Sequence, residues 1–300
     1  MAGFIYSIRR MTAPALARVF AQLSRASWTP PGFKLRLWEL AQTYLFFFDV
    51  RAISRSRFGM TFETGTASMV EKQIFFFGEW EPLFTRYLTG KQQREGTFLD
   101  IGANIGYFSL LASQKFERVC AIEASPTVYA RLRENITRNG ASNVHPIHVG
   151  LGEKEGVAVF YKDPRQSGGS SFLPGQGREP ESEVRLAPLD AIFSPEDLSQ
   201  VKFIKIDIEG FDHFAMEQII ECRDMLPKDV EIFVEYHPRS DARLWAAVQA
   251  LVVEGYTAYT IQGTYDISDY TYRQRQCNPE RVTKEPTQSC DILLTRKLKY

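Results

Sequence analysis

From residue 97 onward, short apolar runs alternate with stretches in which apolar positions recur every three or four residues. Phe98-Leu99 ends in Asp100, and Val119-Cys120-Ala121-Ile122 ends in Glu123; further runs lie at 145–149, 203–208 and 230–236. Between them stand helical patterns: 107–111, then Val128, Leu132 and Ile136, then 214–222, then Leu244, Val248, Leu251 and Val252. Strands alternating with helices predict an open, mostly parallel sheet covered by helices. Ser125-Pro126 reads as an N-cap and first-turn pair, Ser240 or Asp241 as a second cap, and Asn139-Gly140 and Gly255 as helix stops.

Two stretches break the rhythm. Residues 150–195 predict two strands, at 157–161 and 183–186, joined by a loop rich in Gly, Ser and Pro at 167–180; a loop of that length inside a compact domain is functional or disordered. Residues 1–38 carry Arg9, Arg10, Arg18, Arg25, Lys34 and Arg36 without one Asp or Glu. Ile5, Ile8, Leu16, Val19, Phe20 and Leu23 recur there near helical spacing, with Pro14 as an interruption. Three readings of this basic amphipathic segment stand open: a cap packed on the main domain, a peripheral membrane contact through residues 1–28, or an organelle presequence. Thr29-Pro30-Pro31-Gly32 marks a break. Residues 33–94 then predict a helical segment with the Phe46-Phe47-Phe48 cluster and strand-like stretches at 60–63 and 74–77.

Lys plus Arg and Asp plus Glu number 36 each in 300 residues, so no overall field draws the chain to nucleic acid, and no nucleic-acid partner is expected. Cys120, Cys222, Cys277 and Cys290 show neither paired metal spacing nor a secreted disulfide framework. Cys277 and Cys290 flank a loop, and their pairing is left open. No apolar run is long enough to cross a bilayer, and a soluble protein of the reducing cytoplasm is expected.

The chemistry gathers at residues 97–109, TFLDIGANIGYFS, a buried strand, a tight turn and a helix start. Gly102 lets the backbone turn and Gly106 lets helix and ligand approach, since neither carries a Cβ. The amides of the helix start favour a negative group, whereas Asp100 at the strand end favours an ammonium. A dinucleotide site needs G-x-G-x-x-G; here the spacing is D-x-G-x-x-x-G, and Asp100 would repel a diphosphate. S-adenosyl-L-methionine has no phosphate and carries both an ammonium and a carboxylate. Glu123, about 20 residues past Gly102, stands where an acid reaches a ribose hydroxyl. The expected cofactor set is Asp100, Gly102, Ala103, Asn104, Gly106, Tyr107, Glu123, Ala124 and Ser125.

LDIGANIGYFSLLAS, AIEASP, NITRNG, FIKIDIEGFDHF and EIFVEYHP, in this order, resemble the FkbM family of S-adenosylmethionine-dependent methyltransferases over about residues 74–240. The glycine loop is common to class I methyltransferases; KIDIEG is narrower. Glu123-Ala124-Ser125-Pro126 replaces the frequent E-P-N-P, and Phe211-Asp212 the frequent Ala-Glu. The resemblance implies a Rossmann-like α/β fold, a mostly parallel seven-stranded sheet with an antiparallel last strand plus an N-terminal helical extension. Strands at 256–261 and 291–295 would be its antiparallel finish. It divides the chain into an extension, 1–73, and a methyltransferase domain, 74–300, with a hairpin insertion at about 150–195. Glu79, Trp80 and Glu81 match the family's motif before the loop, and Ser170 and Ser171 become candidates near cofactor and substrate.

Asp207 and Glu209 follow the fourth strand and His237 the fifth, so with Asp100 and Glu123 they should share one rim. Lys205, in an apolar strand, is expected to pair with an acid there. Asp207, closest to the transferred methyl in related folds, His237 and Glu209 are the candidate catalytic residues, histidine having the more suitable ordinary pKa. Catechol-type enzymes place a divalent ion at such strand ends, but Glu235 lies inside its strand and the accompanying asparagine is absent, so no metal is expected. The leading reading is O-methylation of a hydroxyl on a sugar, glycolipid or secondary metabolite, with a small-molecule or glycan acceptor. A noncatalytic cofactor-binding or membrane-associated scaffold and a nucleotide-dependent oxidoreductase are the rivals.

Overall fold

The computed structural model describes all residues except 1, 46–49, 93, 163–170, 173, 175–176, 209, 239–241, 262–266, 272–278 and 298–300. The chain divides into two compact units, Met1–Pro82 with Tyr265–Arg275, and Leu83–Thr264 with Gln276–Tyr300.

The first unit holds helix α1 (Ala2–Arg25), α2 (Pro31–Leu45), the antiparallel pair β1 (Ala52–Arg55) and β2 (Thr61–Thr64), and α3 (Met69–Phe77). Pro14 does not interrupt α1. Among the described side chains of α1, Ala13, Ala17 and Ala21 are buried; of the apolar set read from the spacing, Phe20 packs partly buried against the same cluster, while Val19 is half-exposed. Alanines at intervals of four let neighbouring helices approach closely, and they pack with Phe75, Phe76, Phe77 and Tyr270. The strand expected at 74–77 is instead the last turn of α3, ended by Gly78 in the left-handed region (φ 77°). A short, wholly buried apolar run carries no periodicity that separates helix from strand. Arg25 caps that turn, its guanidinium donating to the carbonyls of Phe75 and Arg55 at 2.6 Å each. Burial, and then the charge of Arg57, lower its pKa to about 10. Glu79 pairs with Arg57 at 2.6 Å. Glu81 has φ 39°, and its N–H donates to the Tyr270 hydroxyl at 3.3 Å.

The second unit starts with α4 (Pro82–Gly90), β3 (Arg94–Ile101), α5 (Tyr107–Ser113), β4 (Phe116–Glu123), α6 (Pro126–Asn139) and β5 (Val144–His148). β6 (Gly150–Leu151), β7 (Gly156–Lys162) and β8 (Glu179–Ala187) form a separate three-stranded sheet, order β6-β8-β7, which is the expected hairpin with one added strand. The short helices α7 (Leu189–Ile192) and α8 (Pro195–Ser199) lead to β9 (Val201–Ile206), α9 (Asp212–Glu221), β10 (Glu231–Tyr236), α10 (Ala242–Val253), β11 (Thr257–Ile261), β12 (Glu280–Arg281) and β13 (Cys290–Thr295).

The main sheet has the order β12-β11-β13-β10-β9-β3-β4-β5. β5, β4, β3, β9 and β10 are parallel neighbours, and β13 runs antiparallel to both β10 and β11. This is the expected Rossmann-like sheet with its antiparallel last strand, plus the two-residue β12 on the edge. Ser125 caps α6 by accepting the N–H of Val128, and Gly140 ends it at φ 60°, as Ser-Pro and Asn-Gly foretold. Ile101, Ile204, Ile206, Ile232 and Val234 lie in one buried cluster with Ala215, Met216, Val248 and Leu251 from the helices. A buried ion pair, Lys91 with Glu231 at 2.6 Å, sits at the start of β10, with the Tyr87 hydroxyl 3.2 Å from the same carboxylate oxygen. Cys120, Cys222 and Cys290 are buried free thiols, and Cys277 lies outside the described residues.

Candidate active site

Parallel strands deliver their carboxyl ends to one rim, and there β3 and β4 place Asp100 and Glu123. The turn between β3 and α5 is wound tightly. The N–H groups of Gly102 and Ala103 both donate to the Ile122 carbonyl, at 3.0 and 2.8 Å. Gly102 (φ 82°) lies so close to β9 that a Cβ there would stand 1.9 Å from the Asp207 carbonyl oxygen. At Gly106 (φ 88°) a Cβ would stand 2.5 Å from the Leu132 side chain of α6. Asn104 takes φ 51° between them.

Glu123 fastens this turn. Its Oε2 accepts the Asn104 N–H at 2.9 Å and its Oε1 the Ser125 N–H at 2.8 Å. Burial outweighs both bonds and pushes its pKa up to about 7, with Asp100 and Asp207 adding to the rise. Asp100 is wholly buried beneath the turn. Its Oδ2 accepts from the Ser109 hydroxyl at 2.6 Å, while Oδ1 has no hydrogen-bond partner among the described residues and lies 3.8 Å from the Lys205 ammonium. Burial raises its pKa, against the pull of Lys205 and Ser109.

Lys205 itself bonds Asp207 Oδ2 at 3.1 Å and lies 5.4 Å from the centre of the Phe108 ring. Asp212, first in α9, accepts the Ile208 N–H at 3.0 Å, and burial raises it to about 6. On the next strand end, His237 Nε2 stands 3.4 Å from Glu235 Oε1 and its Nδ1 3.0 Å from the Ser289 hydroxyl. Asp291, paired across β13 with Glu235, is raised well above the usual carboxylate range by burial, then by the charges of Glu235 and Asp207.

The family described as the methyltransferase FkbM domain matches residues 100–262, more than half of the chain. The chain belongs to that family. FkbM membership agrees with a relative, methyltransferase sdnD of Sordaria araneosa, 27% identical over 173 residues, which are 52% of this chain and 64% of that one. The chain thus spans less than two thirds of that relative's length. Among solved structures it is similar to an FkbM methyltransferase from Methylobacillus flagellatus, at 18% identity and TM-score 0.45, over 74% of this chain and 52% of that one. It is also similar to M. jannaschii TYW2 in complex with AdoMet, at 15% identity and TM-score 0.41, over 81% and 84% of the two chains.

Of the residues singled out in the sequence of this FkbM chain, Asp100, Gly102, Ala103, Asn104, Gly106, Tyr107, Glu123, Ala124 and Ser125 form one continuous strand-end feature on β3, β4 and their turns. Glu123 senses the charges of Asp100 and Asp207, so the rim acids come together. Lys205 is paired with rim acids as expected. Asp100 differs in one respect: its approaching cation is Lys205. His237 is half-exposed at the rim, while Glu209 and Ser170 lie outside the described residues. Ser171 forms a bridge with Tyr161 through its backbone. Among the described residues, no group of three or more His, Cys, Asp or Glu is arranged to hold a metal ion.

Sequence reasoning missed Ser109, although its place three residues past Gly106 puts it on the first turn of α5, facing β3. It also missed Asp291 as a rim acid, because only the antiparallel register of β13 brings that residue to Glu235. No helix among the described residues is long and apolar enough to cross a membrane.

Proposed function

We propose that this FkbM-family chain is an S-adenosyl-L-methionine-dependent methyltransferase acting on a hydroxyl of a sugar, glycolipid or secondary metabolite. The observation that carries the reading is the buried Asp100 Oδ1, without a hydrogen bond, at the foot of a glycine turn whose neighbouring strand ends in Glu123. A carboxylate oxygen in that state has capacity for a cationic donor. The rim gathers the carboxyl groups of Asp100, Glu123, Asp207, Asp212, Glu235 and Asp291 around Lys205 and His237; burial raises Asp100, Glu123, Asp212 and Asp291 toward their neutral forms, and the set offers a sulfonium several acceptor oxygens but a diphosphate few cations.

Asp100, the turn at 102–106 and Glu123 would hold the methionine and ribose parts of this cofactor, which supplies a methyl group on a cationic sulfur when bound. The chain must then orient the acceptor and remove its proton, and positioning supplies much of the rate. Glu235 beside Nε2 of His237 keeps a proton on that nitrogen and leaves Nδ1 as the accepting atom. Nδ1 now meets the Ser289 hydroxyl, so a substrate hydroxyl delivers its proton either by displacing Ser289 or through it. The imidazolium that results is stabilised by Glu235. Asp207 is held by the Lys205 ammonium at 3.1 Å.

Titration calorimetry with S-adenosylmethionine, S-adenosylhomocysteine and NAD tests the donor. The two sulfur compounds should bind and NAD should not, and Glu123→Ala should weaken binding by about 1–3 kcal/mol. Affinity for NAD alone, or an unchanged donor affinity in Glu123→Ala, would overturn the assignment. Transfer of a labelled methyl to a panel of hydroxyl compounds, read by product mass, identifies the acceptor.

A further inference from the structure

The hairpin that interrupts the strand and helix alternation brings a carboxylate to the turn after β4. Along β7 and β8, Phe160 faces Ser182 and Tyr161 faces Pro180, so Glu181 is an extra residue in a β-bulge. A bulge re-aims its side chain out of the regular alternation, and bulges concentrate next to active sites. Glu181 Oε2 accepts from the Ser125 hydroxyl at 2.8 Å. The Ser125 N–H donates to Glu123 Oε1 at 2.8 Å, so one residue links the two carboxylates.

Capping accounts for only half of Glu181. Its Oε2 steadies the Ser125 hydroxyl, which in turn accepts the Val128 N–H at 3.2 Å. Its Oε1 is shut off from solvent and has no hydrogen-bond partner among the described residues. A carboxylate oxygen kept dry without a donor is costly, and a ligand N–H would relieve that cost. The support beneath is firm: the Phe172 ring packs edge-on against Phe160, 4.9 Å between centres, and against Phe211 at 6.1 Å. Gly150 makes room for it, since a Cβ there would lie 2.5 Å from that ring. Gln218 of α9 accepts the Leu189 N–H at 2.7 Å and donates to the Gly152 carbonyl at 3.0 Å, tying both ends of the small sheet to the core.

We propose that Glu181 is a specificity-determining contact for the methyl donor, its free oxygen accepting a hydrogen bond from the exocyclic amine of the adenine. The inference rests on the reading of the rim as an S-adenosylmethionine site. That compound bears N–H donors at two ends, on either side of its ribose. Asp100 stands at the end of β3 for the one, and Glu181, held on Ser125 two residues past the ribose acid Glu123, is the carboxylate at the next strand end for the other.

The test is titration calorimetry of the full chain with S-adenosylhomocysteine and with S-inosylhomocysteine, which carries a carbonyl in place of the amine. The wild-type chain should prefer the adenosyl compound by about 30-fold or more, since a site built to accept an N–H rejects an analogue lacking it. Glu181→Ala should weaken the adenosyl compound about tenfold and leave the inosyl compound no weaker, so that discrimination collapses. Glu181→Gln keeps an acceptor and the shape, and should fall between; it also serves should the alanine variant not fold. Ser125→Ala, which removes the cap and leaves Glu181, should weaken both compounds alike.

An equal loss for both compounds in Glu181→Ala would reduce the residue to a support for the cap and overturn the proposal. An unaltered ratio, or a change confined to the acceptor's KM, would overturn it as well while leaving the donor reading intact. Failure of the wild-type chain to bind either compound would instead remove the donor reading, and this inference with it.

Discussion

Replacing Gly102 by alanine isolates what the turn after β3 demands. Two separate costs can be worked from the structure. The residue sits at φ 82°, where a Cβ meets the following carbonyl, a penalty of about 1–2 kcal/mol for an L residue. The new Cβ would also stand 1.9 Å from the Asp207 carbonyl oxygen and 2.9 Å from Ile208 Cγ2. Neither neighbour yields easily, because the Asp207 N–H is bonded to the Ile101 carbonyl at 3.0 Å and holds β9 to β3. Overpacking of this kind costs about 1–3 kcal/mol more. The total is about 2–5 kcal/mol. Gly140 supplies the reference: it has φ 60° but nothing within 4 Å of its Cβ position, so Gly140→Ala carries the dihedral cost alone, about 1–2 kcal/mol. Urea unfolding followed by far-ultraviolet circular dichroism, comparing midpoints at unchanged slope, measures both. Gly102→Ala should lose about 1–3 kcal/mol more stability than Gly140→Ala, and it should lose donor affinity where Gly140→Ala does not. Equal midpoints for the two variants would refute the claim that β9 is pressed against this turn.

Three further outcomes are expected. Lys91→Met, which leaves Glu231 buried and without its cation, should cost about 3–5 kcal/mol in urea unfolding, and Lys91→Met/Glu231→Leu should recover most of it; a double variant no better than the single one would contradict the cause. Glu123 binds its proton up to about pH 7 in the folded chain against an ordinary 4.5, so the native state holds more protons than the unfolded one across that window. Stability therefore falls as pH rises from about 5 to 7, by up to about 3 kcal/mol from this group at 1.36 kcal/mol per unit. Glu123→Gln should flatten that slope, and a slope identical in the variant would rule the group out. His237→Ala should lower kcat by about 100-fold with donor affinity unchanged, as loss of a general base does; a full rate would clear His237 of that role.

Local chemistry made much of this legible in the sequence. The strand, turn and helix start at 97–109 were readable because two glycines bracket the turn. The α6 cap and stop were readable because Ser-Pro and Asn-Gly act on their own neighbours. The failures have equally physical causes. Reading an element type from an apolar run breaks down at 74–77, where Ile74, Phe75, Phe76 and Phe77 are all buried, so the pattern has no polar side from which to take a period. In α1 the search for large apolar residues passed over the alanines that the fold buries. Asp291 and Glu181 reach the rim through a strand register and a bulge, and both depend on pairing between distant segments. That one oxygen of Asp100 and one of Glu181 lack a hydrogen bond among the described residues is a property of three-dimensional surroundings alone.

The position of β13 sets the timetable by which this sheet can be completed. Residues 290–295 lie between β10 and β11, both of which precede them in the chain. During synthesis, β10 must wait with its outer edge open until that later segment emerges from the ribosome. Five parallel strands can assemble on the nascent chain before then, but β11 has no partner that joins it to them. A chaperone that shields the edge of β10 would act in that interval, and a stop codon before residue 290 would leave the edge exposed permanently.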